Sequence, residues 1–367
     1  MSKPSAVKPL PLRNLNLDFL RVIAAIGVVI IHTDNITSVV NDYVGGGSWW
    51  LSNALVTISL SAVPLFIMLS GALLIPRAQS NWNNMFSRLT HRLLIPLFAW
   101  HFIYFGWRIS FHREGWGFFE MVQSMFGHGY HHLYYLWILA GLYLVLPLLQ
   151  DFFSRWDRSH VRAVVIGVLS LSMIQTILEF LLFDQPMFLP IAWKFVPYMS
   201  YALLGALLIT AKKSSLPTLK TILISLGTLL IAHTVLRYGI LSLSERGENP
   251  VLWGYHVRDF FLAHFHPLIV VQTILSFLCI VQLELERLPM FIKHMVTNLS
   301  ALCFGMYLIH PMMIEIVDAV IFPPLHTISD NLWFYSITRI LTVILLSSMV
   351  AWIFKKIAST RFLVGER

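Results

Sequence analysis

Residues 15–34 read LNLDFLRVIAAIGVVIIHTD, an apolar stretch with ionisable side chains toward both ends. From Val22 to Ile31 no side chain is polar, the pattern of a membrane-crossing helix. Arg21 and His32 bracket that run, eleven residues apart. On a helix this is about three turns and roughly 16 Å of rise, so the two share one face at different depths. A charge in hydrocarbon costs a few kcal/mol, and intramembrane ionisable groups usually face a protein interior or a water-filled cavity. On an isolated helix, snorkelling of Arg21 and interfacial placement of His32 explain the pattern equally well. The choice therefore depends on what the rest of the chain brings to those two depths.

The surrounding composition is that of a membrane protein. Of 367 residues, 57% are hydrophobic and 12% charged, about half the charge of an average soluble domain. The net charge of +8 comes from basic residues scattered between apolar stretches. No contiguous basic stripe exists, which argues against nucleic acid as a partner. The two cysteines, Cys279 and Cys303, lie in separate apolar stretches, so neither a disulfide framework nor a CxxC redox motif is expected. The first sixteen residues lack a small-residue cleavage site after a short apolar region, and the first span reads as retained.

Ten apolar segments follow one another: Leu17–Thr33, Ala54–Ile75, Leu93–Phe111, Leu133–Phe152, Ala163–Phe183, Ile191–Thr210, Leu219–Leu241, Phe260–Leu283, Leu299–Phe322 and Leu332–Phe354. With a cytoplasmic N-terminus, nineteen of the twenty-six Lys and Arg fall on the inner side. That bias satisfies the positive-inside rule with both termini cytoplasmic. The expected architecture is an all-α polytopic membrane protein of about ten transmembrane helices. It forms one domain over 1–367, with a 15–354 bundle flanked by cytoplasmic tails 1–14 and 355–367. The longest outer connection, Ser110–His131, is rich in Gly, His and aromatics. It reads as an aromatic interfacial segment, with a lid or acceptor platform as the sharper alternative.

Three further stretches carry chemistry. In PRAQSNWNNMFSRLTHRLLIP (76–96), Arg88 and Arg92 stand four apart on one helical face before Pro96. Arginine forks bind phosphates bidentately, so the pair could grip a pyrophosphate, although a basic anchor at the inner surface has the same signature. In VPLFIMLSGALLIP (63–76), Pro64 would kink the helix and Ser70–Gly71 would form a small polar patch near the inner end. HHLYYLWILAGLYLVLPLLQ (131–150) and LSALCFGMYLIHPMMIEIVD (299–318) place His131, His132 and His310 in or beside spans, the last next to Pro311 and before Glu315 and Asp318. A proline there frees a backbone carbonyl for a polar partner. A desolvated imidazole favours its neutral form, the form that accepts a hydroxyl proton. No HExxH pattern occurs, and a metal site is not expected.

Taken together, LDFLRVIAAIGVVIIH with its Arg-x10-His spacing, VPLFIMLSGALL, RLTHRLLIP, HLYYL followed by YLVLPLL, and FGMYLIHP resemble the membrane-bound acyltransferase-3 family. These are ten-helix enzymes that O-acylate bacterial surface polysaccharides and related glycans. The resemblance implies His32 as the catalytic histidine, Arg21 as its partner in handling the acyl donor, and Arg88 and Arg92 as the cytoplasmic contact for acyl-CoA. By motif position it brings Ser70 to the donor and His132, Tyr134 and His310 to the cavity, with Asp18 one turn below Arg21 to orient it. It further implies a multi-pass protein of the bacterial cytoplasmic membrane. Its substrates would be acyl-CoA, with acetyl the first candidate, and a glycan or lipid-linked sugar, met among membrane lipid. Two departures stand out: Tyr134 occupies the usual Trp of an HLWFL-like motif, and no additional periplasmic esterase-like domain is read, so transfer chemistry is expected within the bundle. The rival reading is a proton-coupled transporter or flippase using His32, His310, Glu315 and Asp318 as a relay. No internal repeat supports it.

Overall fold

The structure is a computed structural model that describes residues 13–33, 45, 47–77, 81–112, 117, 119, 122, 131–182, 193–244, 260–321 and 332–366. Among them there is helix and no strand. In chain order the α-helices are α1 (Leu15–Thr33), α2 (Gly47–Ser59), α3 (Ala62–Leu74), α4 (Trp82–Leu89), α5 (Ile95–Trp107), α6 (Tyr134–Arg155) and α7 (Arg158–Leu182). They continue as α8 (Phe195–Ile209), α9 (Leu219–Ser244), α10 (Pro267–Gln282), α11 (Met290–Ser300), α12 (Cys303–Ile316) and α13 (Leu332–Lys356). Eight helical stretches among the described residues are long and apolar enough to cross a membrane, and the chain is an all-α polytopic membrane protein. Among the described residues helix falls within each of the ten expected segments, but α8 is short, and the third segment is divided between α5 and the π-turns Thr90–Leu94 and Arg108–His112 that flank it. Most of the expected interfacial connection Ser110–His131 and of the tail 1–14 lies outside the described residues.

Proline shapes the second span. Pro64 has no N–H, and its ring would meet the carbonyl four residues back, that of Leu60. The α-helix stops at Ser59 and restarts at Ala62, giving α2 and α3 at the place where that clash falls. At the other terminus the chain folds back after α13. A 3₁₀ segment, Ala358–Val364, packs under α5, where Trp100 Nε1 donates to the Leu363 carbonyl at 2.9 Å. Gly365 follows with φ +71°, a left-handed conformation suited to glycine.

The packing is organised around α1, which touches α2, α3, α10, α11, α12 and α13. Its buried residues include Leu17, Leu20, Val22, Ala24, Ala25 and Val28, which fall on more than one face, as expected of a helix enclosed by others. Arg21 and His32 therefore sit on an interior element. On one flank α3 and α8 cross at very short range: a Cβ on Gly71 would strike the backbone of Ala202, and one on Gly205 the backbone of Met68. Small residues at such crossings let two backbones approach, which replaces the hydrophobic drive that lipid cannot supply. Gly205→Leu is expected to destabilise the protein by about 3 kcal/mol or more, the upper range of overpacking. A thermal melt in detergent would show it; a midpoint unchanged from wild type would contradict this account of the crossing.

Candidate active site

At the far end of α1 three histidines meet. α12 carries His310 followed by Pro311. Proline cannot donate to the carbonyl four residues back, which is that of Tyr307. The His310 ring takes it instead, with Nδ1 2.7 Å from Tyr307 O and 3.3 Å from Met306 O. A nitrogen facing two carbonyl oxygens carries the hydrogen, so Nε2 holds the lone pair of the neutral ring. His310 is 0% exposed, and its Nε2 has no hydrogen-bond partner among the described residues. The ring of His32 lies 5.2 Å from that of His310, centroid to centroid, and the ring of His132 lies 5.3 Å from it on another side. His132 is buried, and its backbone carbonyl accepts the Tyr307 hydroxyl. Tyr104 of α5 packs edge-on against His132 at 5.2 Å and donates to the Leu308 carbonyl at 2.6 Å.

At the near end of α1 the buried carboxylate of Asp18 organises two guanidinium groups. Arg13 Nε donates to it at 2.7 Å and Arg21 Nη1 at 3.3 Å. Ser300 of α11 donates to the same carboxylate at 2.8 Å and accepts from Arg21 Nη1 at 2.8 Å. Arg21 is thereby fixed in direction while about a third of its side chain (32%) stays exposed. Arg88 lies in the last turn of α4 and Arg92 in the π-turn Thr90–Leu94; both are exposed. The wide turn has a cause in Pro96, whose ring would clash with the Arg92 carbonyl in a regular helix. Ile95 accordingly donates to Thr90 O, five residues back. The glycine at 365 packs close to the displaced Arg92 carbonyl.

Toward the arginine end a narrow apolar cleft opens between α3, α6 and α8. α6 presents Leu139, Leu142, Leu146 and Leu149 to it at spacings of three and four, and Tyr143 beside them; α3 adds Ser70 and Gly71, and α8 adds Ala202. Arg21, Arg77, Arg88 and Arg92 all act electrostatically on the Tyr143 hydroxyl, so four cations gather at that part of the cleft. Ser70 donates to the Phe66 carbonyl at 2.9 Å and faces the Tyr135 hydroxyl. Tyr135 packs against Tyr307 at 5.3 Å, and Tyr307 packs against His132 at 5.6 Å and His310 at 6.0 Å. Side-chain contacts thus lead from Ser70 in the cleft through Tyr135 and Tyr307 to the histidines, and Tyr143 of the same cleft lies in the field of the arginines.

The expected residues divide accordingly. Ser70 lines the cleft, the arginine pair acts on its Tyr143, and His32, His132 and His310 cluster at the far end of α1. Asp18 is engaged by Arg13, Arg21 and Ser300, which makes it the support of Arg21. Tyr134 faces a neighbouring wall, stacked at 6.4 Å on His264 with Lys194 Nζ 5.9 Å over its ring. The carboxylates of the imagined relay are otherwise occupied: Glu315 accepts from Trp107 Nε1 and lies 3.1 Å from His112 Nε2, and Asp318 pairs with Arg339. Sequence reasoning missed Tyr135, Tyr143, Tyr307 and Ser300. The first two were legible in principle as two helical turns on one face, but only the contact of Tyr135 with Tyr307 of α12 and the place of Tyr143 in the cleft distinguish them from ordinary aromatic packing. Among the described residues no group of three His, Cys, Asp or Glu is placed to hold a metal ion.

A polytopic helical bundle with a guanidinium cluster at one end of a central helix and a histidine cluster at the other defines an integral-membrane protein with a candidate site inside the bundle. The chain belongs to the acyltransferase-3 family, whose model, described as an acyltransferase domain, matches residues 14–354. It is a membrane acyltransferase. No curated protein and no solved structure matches it.

Proposed function

We propose that the protein transfers an acyl group, acetyl in the first instance, from acyl-CoA on the cytoplasmic side to a sugar hydroxyl on the outer side of a bacterial cytoplasmic membrane. The acceptor is a surface polysaccharide or its lipid-linked precursor. The observation that carries this reading is that the cleft whose Tyr143 lies in the field of Arg21, Arg88 and Arg92 also holds Ser70, from which Tyr135 and Tyr307 lead to His310 and its neighbour His32. A nucleotide is too polar to enter the bundle, so the arginines hold its phosphates while the pantetheine arm and thioester lie in the apolar cleft. The acceptor approaches from the histidine end.

In the reaction His32 takes the proton of the sugar hydroxyl as its oxygen attacks the thioester carbonyl. The carbon–sulfur bond breaks, the sulfur leaves as thiolate, and the imidazolium returns the proton to it, giving an O-acyl sugar and free CoA. His310, its Nδ1 hydrogen held by Tyr307, stands beside His32 and orients it. The test is acyl-CoA consumption by membranes containing the protein, together with NMR of the surface polysaccharide from a deletion strain. Acceptor-dependent CoA release and loss of O-acyl signals are expected; absence of both would end the assignment. Acyl label trapped on His32 without acceptor would replace direct transfer by an acyl-histidine intermediate.

Pro311→Ala returns an N–H to the Tyr307 carbonyl in competition with His310. Losing one orienting hydrogen bond, worth about 1 kcal/mol, corresponds to roughly a fivefold fall in kcat. The KM for acyl-CoA should stay as in wild type because the donor docks at the other end. Steady-state kinetics decide this, and a wild-type kcat would refute the role given to the proline.

A further inference from the structure

The histidine end of α1 is held from a direction that the reaction scheme does not use. Arg339 of α13 is 7% exposed. Its Nε and Nη2 donate to the two carboxylate oxygens of Asp318, each at 2.6 Å. Asp318 lies in the π-turn Val317–Ile321 that continues α12. The third donor, Nη1, gives its hydrogen to the backbone carbonyl of Thr33, the last residue of α1 and the neighbour of His32. A helix leaves its final carbonyls without intrahelical partners, and its C-terminus favours a cation. One planar fork therefore answers three demands at once: it caps α1, neutralises Asp318 and joins both to α13.

The two elements so joined are the ones that carry His32 and His310. We infer that Arg339 and Asp318 are positioning residues, which fix the last turn of α1 against α12 and so set the 5.2 Å separation of the His32 and His310 rings. The Asp318 side chain is 41% exposed, so the ion pair is not a buried store of stability. Its contribution is direction. Lysine, a point charge, can pair with Asp318 but cannot hold the Thr33 carbonyl in the same plane.

The kinetic arm of the test rests on the acyl-transfer reading; the second arm does not. For purified Arg339→Lys the amides of residues 29–33 should exchange with deuterium more than about fivefold faster than in wild type, as expected when a terminal hydrogen bond is lost, with residues 17–21 unchanged. In the same variant kcat should fall about tenfold with the KM for acyl-CoA unchanged, the signature of a displaced reacting group. Asp318→Glu, which keeps the fork, should retain wild-type exchange and most of kcat. Unchanged exchange at 29–33, or a loss that falls on KM alone, would overturn the inference. Should Arg339→Lys not fold, Asp318→Asn, which leaves the guanidinium in place, is read by the same two measurements and the same criteria. If wild-type protein transfers no acyl group, the proposed function fails, while the exchange arm still decides the clamp.

Discussion

His32→Ala is expected to lower acyl transfer by roughly 10²- to 10⁴-fold, the range for removal of a general base. Binding of acyl-CoA should be unaffected, because every guanidinium proposed to hold it lies toward the other end of α1. The fold should survive as well: His32 is only partly buried, and its loss removes no core side chain. The measurement is CoA release by membranes carrying equal amounts of wild type and variant, with glycan acylation followed in parallel. Equal CoA release from both, with acylation intact, would sink the role given to His32. The same assay on His310→Ala separates the two rings. A base and its orienting neighbour act as a unit, so the double variant should lose little more than His32→Ala alone.

The second large effect is expected at the donor end. Arg88→Gln and Arg92→Gln each remove a charged donor from a phosphate, a contact worth about 1.5–3 kcal/mol, so each should raise the KM for acyl-CoA roughly tenfold or more. The kcat should be kept, because binding that is equal in ground and transition states alters KM alone. Both side chains are exposed, and their attraction for the nucleotide should weaken as salt is raised. Titrating acyl-CoA at two ionic strengths checks both points. A fall in kcat without change in KM would place these arginines in the chemistry and contradict the donor-docking role.

How much of this was legible beforehand can be argued residue by residue. Arg21 and His32 declared themselves because charge is rare in an apolar helix, and their spacing alone put them on one face at two depths. Pro64 and Pro311 announced local breaks in the helical hydrogen bonding and Pro96 the entry of a span, since the missing N–H acts on a carbonyl four residues back wherever the helix runs. The structure then gave those breaks consequences that no local reading contains: the Tyr307 carbonyl freed by Pro311 is the one His310 takes, and the wide turn before Pro96 carries Arg92. Tyr135 and Tyr143 went unnoticed because aromatic residues two turns apart in a membrane helix usually mean packing. Arg339 read as one more outer-side cation.

The amino-acid sequence by itself determined the all-α membrane class, the succession of apolar segments, the ends of α1 that carry its ionisable groups, and the family to which they belong. All of these follow from local properties, namely hydropathy, helical period and the backbone chemistry of proline. Only the tertiary structure decided that α1 lies at the centre, that His32 and His310 are neighbours although 278 residues separate them in the chain, and that Arg339 reaches Thr33 across 306. The physical reason is that hydropathy drives every segment into the membrane alike, whereas the choice of neighbours rests on close backbone approach at glycines such as Gly71 and Gly205 and on polar contacts between distant helices.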